Sequence, residues 1–481
     1  MKILFPLMLL PALLIAQKKA AVPLTDKNKT LASAEIQKNY EHYKSIALNI
    51  WNYAEVGYKE EKSTVLLQKE LSDNGFQVQA AVAGIPTSFV ATYGSGSPVI
   101  AILAEYDALP GITQEAVPDR KLADGKNSGH ACGHHLFGTA SVAAGIAIKN
   151  QMAANNWKGT LKVYGCPAEE GGSGKVYMTR ESLFNGVDIV LHWHPGNANS
   201  VNTDGALANK SAKFRFYGLS AHAAASPENG RSALDGVEAM DNMVNMMREH
   251  VPSTTRIHYV ITNGGKAPNV VPDFAEVYYY VRHPDKDIVV SIFDRVAKAA
   301  EGAALGTGTT MKYEIIGGTH DLLLIDTLNS VMYKQLQLAG PVILSPEEVE
   351  FGKKIQSSFT FKYPDISEAG IIKPFKSVVK DGTGSTDVGD VSYNVPTVGF
   401  STATWVPGTP AHSWQAIACG GTDIGIKGMV AAAKALSNMG IELLHNPGLI
   451  EAAKKEFLQK KGSYQYKALL GDRKPALNYR D

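Results

Sequence analysis

The sequence predicts an α/β protein: a mostly parallel-sheet domain into which a smaller ferredoxin-like domain of β-α-β-β-α-β order is inserted. Two observations carry this reading. Between residues 98 and 194, continuous apolar strands alternate with helices, as in a parallel sheet covered on both faces. Near residue 206 the rhythm changes, and the next six elements follow the split order of the smaller domain.

The elements follow in turn. Residues 33–55 read as one amphipathic helix with Ile36, Tyr40, Tyr43, Ala47 and Ile50 on one face. A second helix contains VLLQKEL and stops near Gly75. PVIAILAEY (98–106), TLKVYGC (160–166) and DIVLHWH (188–194) are strands, separated by an Ala-rich helix (137–154) and the helix GKVYMTRESLF (174–184). The inserted part has strands KFRFYG (213–218), IHYVIT (257–262), AEVYYYVR (275–282) and MKYEII (311–316), with helices at 232–250 and 286–305. A helix near 328–339, strand TVGFST (397–402) and a helix at 422–438 resume the larger domain. The division is 30–205 and 323–460 for the large domain, 206–322 for the insert and 461–481 for a C-terminal tail.

Composition narrows the class. The chain has 481 residues, 44% hydrophobic and 19% charged, enough apolar material for a sizeable core. Lys plus Arg is 47 and Asp plus Glu is 46, for a net charge of +1, and no Lys/Arg-rich run points to nucleic acid. Three cysteines exclude a disulfide framework. Lys2 precedes the apolar run Ile3–Ala16, too short at ~21 Å of helix for a ~30 Å hydrocarbon core. It reads as a signal peptide over residues 1–16, cleaved near Ala16–Gln17, so the mature protein is expected to be secreted or periplasmic, off the membrane. A buried N-terminal strand or helix is the alternative.

Polar residues gather where the strands of the first domain end. Glu105, Tyr106 and Asp107 follow one strand, Glu169, Glu170 and two glycines another, and His192 and His194 close a third. Ligands bind at the carboxyl ends of strands in open α/β sheets. GHACGHH (129–135) adds His130, Cys132, His134 and His135, and PAHSW puts His412 in a Pro/Gly-bounded loop. Imidazole, thiolate and carboxylate are ligands for zinc-like divalent metals. Taken singly, each has a plainer reading. A lone cysteine is usually a small buried residue, as Cys166 and Cys419 are expected to be; paired glutamates are usually solvated, and a lone histidine is usually a hydrogen-bonded structural one. The combination suits amide hydrolysis, in which one carboxylate holds a metal and its neighbour carries the proton from water to the leaving nitrogen.

At these residues the sequence resembles the two-metal aminoacylase and carboxypeptidase-type amidohydrolases, in its aminobenzoyl-glutamate hydrolase branch. The matching stretches include AEYDALPG (104–111), GHACGHHLFG (129–138), GCPAEEGGSGK (165–175), DIVLHWHPG (188–196), GLSAHAA (218–224), NVVPD (269–273), GSTDVGDVS (384–392) and PAHSW (410–414). The resemblance implies two divalent ions, Zn²⁺ or Mn²⁺, on Cys132, His134, Glu170, His194 and His412, with Cys132 bridging. Glu169 would be the general acid/base, and Asp107 would orient a ligand. His192 is a rival to His194. Glu105 stands where carboxypeptidase-type relatives place a histidine, and the role of His135 is open. From the insert, the resemblance implies His222 as an oxyanion stabiliser passed across a homodimer. Asn269 and Arg282 would hold the substrate carboxylate. The implied function is metal-dependent hydrolysis of N-acyl or N-aroyl amino acids such as aminobenzoyl-glutamate. A dipeptidase with the same machinery and a non-catalytic secreted binding protein are the alternatives; a pure binder has no need of Glu169.

Overall fold

A computed structural model describes residues 24–201, 204–376 and 382–480. The expected signal segment lies outside them. The helix expected over 33–55 is two helices, Leu24–Lys38 and Tyr40–Tyr53. Asn39 separates them at φ −93° and ψ 21°, and its side-chain amide donates to the Glu35 carbonyl at 3.1 Å. An asparagine that bonds its own backbone competes with helix propagation. The shared face survives the break: Ile36, Tyr43, Ala47 and Ile50 are buried, and Tyr40, half-buried, donates its hydroxyl to Asp423 at 3.0 Å.

The large sheet has seven strands in the order Gln77–Ala80, Phe89–Ser95, Gly159–Gly165, Val99–Ala104, Ile189–Gly196, Thr397–Ala403 and Ser200–Val201. The four strands from Gly159–Gly165 to Thr397–Ala403 run parallel. The hairpin at one edge and the two-residue strand at the other are antiparallel. These edge strands are short or half-exposed and leave little hydrophobic periodicity to read.

Both faces are covered, as the continuous apolar strands require. Ile100, Ile102 and Ala104 point into a core built with the helices His134–Asn155 and Asp423–His445. Ala101 and Leu103 point the other way, against Met178, Val388 and Val391. The helix expected at 174–184 ends at Arg180, and the one expected at 422–438 runs on to His445. A further helix, Pro346–Ser357, starts at a capping box between Ser345 and Glu348.

The inserted domain is a four-stranded antiparallel sheet in the order Arg256–Asn263, Phe274–His283, Ala208–Tyr217 and Thr310–Thr319. Helices Ala233–Met247 and Lys286–Thr307 pack on one face, around Phe214, Phe216, Tyr279 and Phe293. This is the ferredoxin-like arrangement read from the sequence. Among the described residues, no helix is long and apolar enough to cross a membrane.

Candidate metal centre

The four parallel strands deliver their carboxyl ends to one edge. Glu105 and Asp107 follow Val99–Ala104, Glu169 and Glu170 follow Gly159–Gly165, and His192 and His194 lie within Ile189–Gly196. The loop after Thr397–Ala403 carries His412, whose backbone N–H donates to the Ala131 carbonyl at 3.0 Å. That bond ties the loop to the segment holding Cys132. Between Cys132 and His134 the chain turns at Gly133, with φ +78°, and a Cβ there would stand 2.7 Å from the Pro195 Cβ. Glycine alone satisfies both the conformation and the close approach.

Among the described residues, ligand-type atoms converge in three overlapping sets, each with its atoms within 4.8 Å of one another: Cys132, His134 and His194; Cys132, Glu170 and His412; Glu105, His134 and Glu169. Cys132 belongs to the first two sets, the position a bridging thiolate requires. Its Sγ lies 3.4 Å from His194 Nε2. His194 Nδ1 donates to the Pro195 carbonyl at 2.7 Å, which leaves Nε2 as the unprotonated nitrogen. His134 Nδ1 donates to Asp107 Oδ1 at 2.8 Å, and Asp107 Oδ2 accepts the Glu170 N–H at 2.9 Å. Asp107 therefore orients two candidate ligands at once.

The buried atoms that find no hydrogen-bond partner test whether metals fit. Glu105 Oε2, His134 Nε2 and Glu170 Oε1 are three of them. Glu105 Oε2 and His134 Nε2 are 3.2 Å apart, and Glu170 Oε1 and His412 Nε2 are also 3.2 Å apart, without hydrogen-bonding geometry. Buried polar atoms rarely go unpaired. Lone pairs gathered this way around a thiol, imidazoles and carboxylates match the donors of a divalent cation site.

Electrostatics divides the carboxylates. Burial acts to raise Glu170, but the His412 ring beside it and the His134 charge hold it at about 2. Burial would also raise Glu105, which Lys175 and His134 keep below the usual range. Glu169 is pushed well above it by burial and by the charges of Glu105, Glu170 and Asp387. Burial, followed by the Glu170 charge, lifts the Cys132 thiol well above its ordinary value.

The remaining motif residues sort by their partners. His135 donates to the Gly420 carbonyl at 3.0 Å and His130 to the Ile50 carbonyl at 3.0 Å, so both are structural. His192 is buried against Gly399, where burial takes it down to about 4. Cys166 and Cys419 are core residues. The inserted-domain candidates do not join the cluster. His222 is exposed and hydrogen-bonds to the backbone of Ala224, Ala225 and Ser226. Asn269 is exposed, and Arg282 lies half-buried with its guanidinium 5.2 Å over the Tyr280 ring.

Sequence reasoning did not single out Lys175 or Asp387. The Lys175 ammonium is fully buried, 2.7 Å from Glu105 Oε1 and bonded to Asp387 Oδ1, while its N–H donates to Asp387 Oδ2 at 2.9 Å. The available signal was a lysine leading an otherwise apolar helix, directly after the paired glutamates.

A parallel-sheet domain, an inserted ferredoxin-like domain and a buried thiol–imidazole–carboxylate cluster at the strand ends define a two-domain metallohydrolase. Residues 208–307 match the peptidase dimerisation domain of the M20 peptidases. The chain is 39% identical over 450 residues to a p-aminobenzoyl-glutamate hydrolase subunit of Escherichia coli (strain K12), with 88% of this chain and 93% of that protein covered. It is 29% identical over 444 residues to the Xaa-Arg dipeptidase of Mus musculus, covering 89% and 92%. Its fold matches a dinuclear metal binding peptidase of the M20 family from Bacillus subtilis (TM-score 0.58, 15% identity, 85% and 99% covered). It also matches an aminobenzoyl-glutamate utilization protein from Klebsiella pneumoniae (TM-score 0.56, 16% identity, 85% and 97% covered). The chain belongs to the M20 peptidase family, and it is a metal-dependent hydrolase of amide bonds.

The shared position of Cys132 generates a prediction. Cys132→Ala lowers bound metal, and in the parent protein metal shields Cys132 from iodoacetamide, because a coordinated thiol is deprotonated and occupied. Mass spectrometry of stripped and metal-loaded protein reads the difference; equal labelling would leave Cys132 a simple buried thiol.

Proposed function

We propose that this enzyme cleaves the amide joining an acyl or aroyl group to an amino acid, with Glu169 as general acid/base and Cys132, His134, Glu170, His194 and His412 holding two divalent cations. The observation that carries the reading is the pairing on one turn of Glu170, held at about 2, with Glu169, pushed well above the carboxylate range. One carboxyl has the character of a ligand and its neighbour that of a proton carrier. A pair of divalent cations supplies Lewis acidity to such a site, activating water and polarising the scissile carbonyl. The protein's own part is to accept the water's proton at the Glu169 carboxylate and return it to the leaving nitrogen. Asp107 accepts from His134 Nδ1 and fixes the orientation of the ring, so that Nε2 is the nitrogen available to a metal. The thiolate favours zinc and the carboxylates admit manganese.

The family resemblance supports Arg282 and Asn269 as the groups that take the substrate carboxylate, since a planar guanidinium suits bidentate binding. The likeness to an Xaa-Arg dipeptidase supports a second reading, cleavage of dipeptides by the same machinery. Amino acid release from a panel of N-aroyl amino acids, N-acyl amino acids and dipeptides, with Zn²⁺ or Mn²⁺, separates the two. In that assay Glu169→Gln keeps its metals and loses about 10²–10⁴-fold in turnover. A metal-loaded Glu169→Gln enzyme with parental turnover would remove Glu169 from the chemistry.

Homodimerisation belongs to the same reading and is supported by the match to a dimerisation domain. Mixing His222→Ala chains with Glu169→Gln chains should return about a quarter of full activity, because half of randomly formed two-fold dimers are mixed and each contains one intact site. Exchange of subunits with no recovery would assign His222 to its own chain.

Export completes the proposal, on the strength of the apolar run Ile3–Ala16. N-terminal sequencing of the protein from an exported fraction should begin near Gln17; recovery only in the cytosol with Met1 intact would refute it.

A further inference from the structure

After the helix Pro447–Lys461, the chain runs across both domains. The Tyr464 hydroxyl lies 2.7 Å from His320 Nε2, and Tyr466 donates to Asp390 Oδ1 at 2.8 Å. Arg473 then reaches the last strand of the inserted domain, donating to the Ile316 carbonyl at 2.5 Å and to Glu314 at 3.4 Å. Arg180, on the short helix that follows the Glu169–Glu170 turn, donates to the carbonyls of Gly471 and Arg473 at 3.1 and 2.7 Å. The path arrives at the turn itself. The Tyr479 hydroxyl donates to the Glu170 carbonyl at 3.1 Å, and Arg480 Nη2 donates to the same oxygen.

That turn is strained and held from outside. Ala168 and Ser173 have φ of 56° and 61°, the left-handed region that a non-glycine residue enters only at a cost. Glu60 accepts the Ala168 N–H at 2.8 Å, Asp107 accepts that of Glu170 at 2.9 Å, and Tyr58 donates to the Gly172 carbonyl at 2.6 Å. Tyr479 and Arg480 supply what these leave unmet, the Glu170 carbonyl. Their seat is fitted: the rings of Tyr479 and Tyr58 meet edge to face at 5.5 Å, and a Cβ on Gly57 would stand 2.3 Å from the Tyr479 hydroxyl. The Arg480 guanidinium lies 4.6 Å over the Tyr479 ring.

We propose that Tyr479 and Arg480 are positioning residues for Glu170 and its neighbour Glu169, and that residues 464–480 form a strap tying their turn to the inserted domain. A carbonyl gripped by two donors, one of them charged, cannot rotate without losing both. The peptide after Glu170 is fixed, and with it the direction in which both carboxylates leave the backbone. The inference rests on the reading of Glu170 as a metal ligand.

The test uses the full chain with Tyr479→Phe, Arg480→Ala, Arg480→Lys and, as control, Glu170→Gln. Zinc affinity is measured by chelator competition, and hydrogen exchange is followed in the metal-free proteins. Tyr479→Phe and Arg480→Ala should weaken zinc binding by about 10-fold or more, as loss of a group orienting a ligand does. They should speed exchange at residues 168–173 and leave the core strands unchanged, with Arg480→Lys restoring most of both. Parental affinity and parental exchange at the turn, alongside weakened zinc in Glu170→Gln, would overturn the strap. Exchange accelerated evenly through both domains would also overturn it, as general stabilisation. Parental zinc affinity in Glu170→Gln would instead sink the ligand reading, and exchange at the turn would still decide whether the strap holds it.

Discussion

Lys175 carries its ammonium into the centre of the catalytic domain, fully buried between Glu105 and Asp387. It answers a severe local imbalance. Glu60, Glu105, Asp107 and Asp387 are buried at the strand ends, and Glu169 and Glu170 join them half-buried. Each ionised carboxylate taken out of water costs several kcal/mol unless it is paired. One lysine cannot balance six acids, and the burden falls unevenly. Glu105 and Glu170, with cationic or imidazole partners, stay low. Burial pushes Glu60 to about 8, with the charge of Asp107 adding to it, and Asp387 to about 6 against the pull of Lys175. A pocket that forces some of its acids to keep their protons has capacity for more positive charge, and two divalent ions would supply it.

The same constraint shapes the backbone. Bringing ligands from four strand ends and a helix start within a few ångströms of each other forces sharp turns. The turns at Gly133 (φ +78°), Ala168 (φ 56°), Ser173 (φ 61°) and His412 (φ 59°) all enter the left-handed region. Such strain persists only where surrounding contacts over-determine it. Here the loops tie to one another: His412 to Ala131, Glu170 to Asp107, Ala168 to Glu60. The strained segments are thus held by hydrogen bonds from the loops packed around them.

What could be read from the sequence follows from how local each signal was. The parallel strands were legible because burial on both faces writes a continuous apolar run, and the strand-end residues because charge interrupts that run. The order of the inserted domain was legible because its four strands and two helices follow one another as separate local patterns. The choice between His192 and His194 was not, because both lie on one face of one strand and the neighbouring strand decides. Gly399 stands opposite His192 in register, and a Cβ there would sit 2.2 Å from its Nε2, so His192 fills the space a side chain would need. Ser401 stands opposite His194, which reaches Cys132 instead. Lys175 with Asp387, and Glu170 with Tyr479 and Arg480, pair across more than two hundred residues, and no local pattern announces such contacts. The break at Asn39 was hidden for the opposite reason: the apolar face continues across it.

The inserted domain is finished on one side only. Its two helices and sheet enclose a core, yet the edge strand Arg256–Asn263 exposes Tyr259, Val260 and Ile261, and the helices expose Met246 at 66% and Leu305 at 86%. An unpaired, apolar sheet edge is a surface that proteins ordinarily cover, and the match to a dimerisation domain names the kind of cover expected. His222 fits that picture through its tautomer. Its Nδ1 accepts the N–H groups of Ala224 and Ala225 at 3.2 and 3.1 Å, so the proton sits on Nε2. An N–H donor is what a developing oxyanion needs, and Nε2 is the nitrogen that the proposed mechanism would use. Under the proposed function, the His222 donor on one domain and the acids and imidazoles on the other would meet only through a second chain or closure of this one.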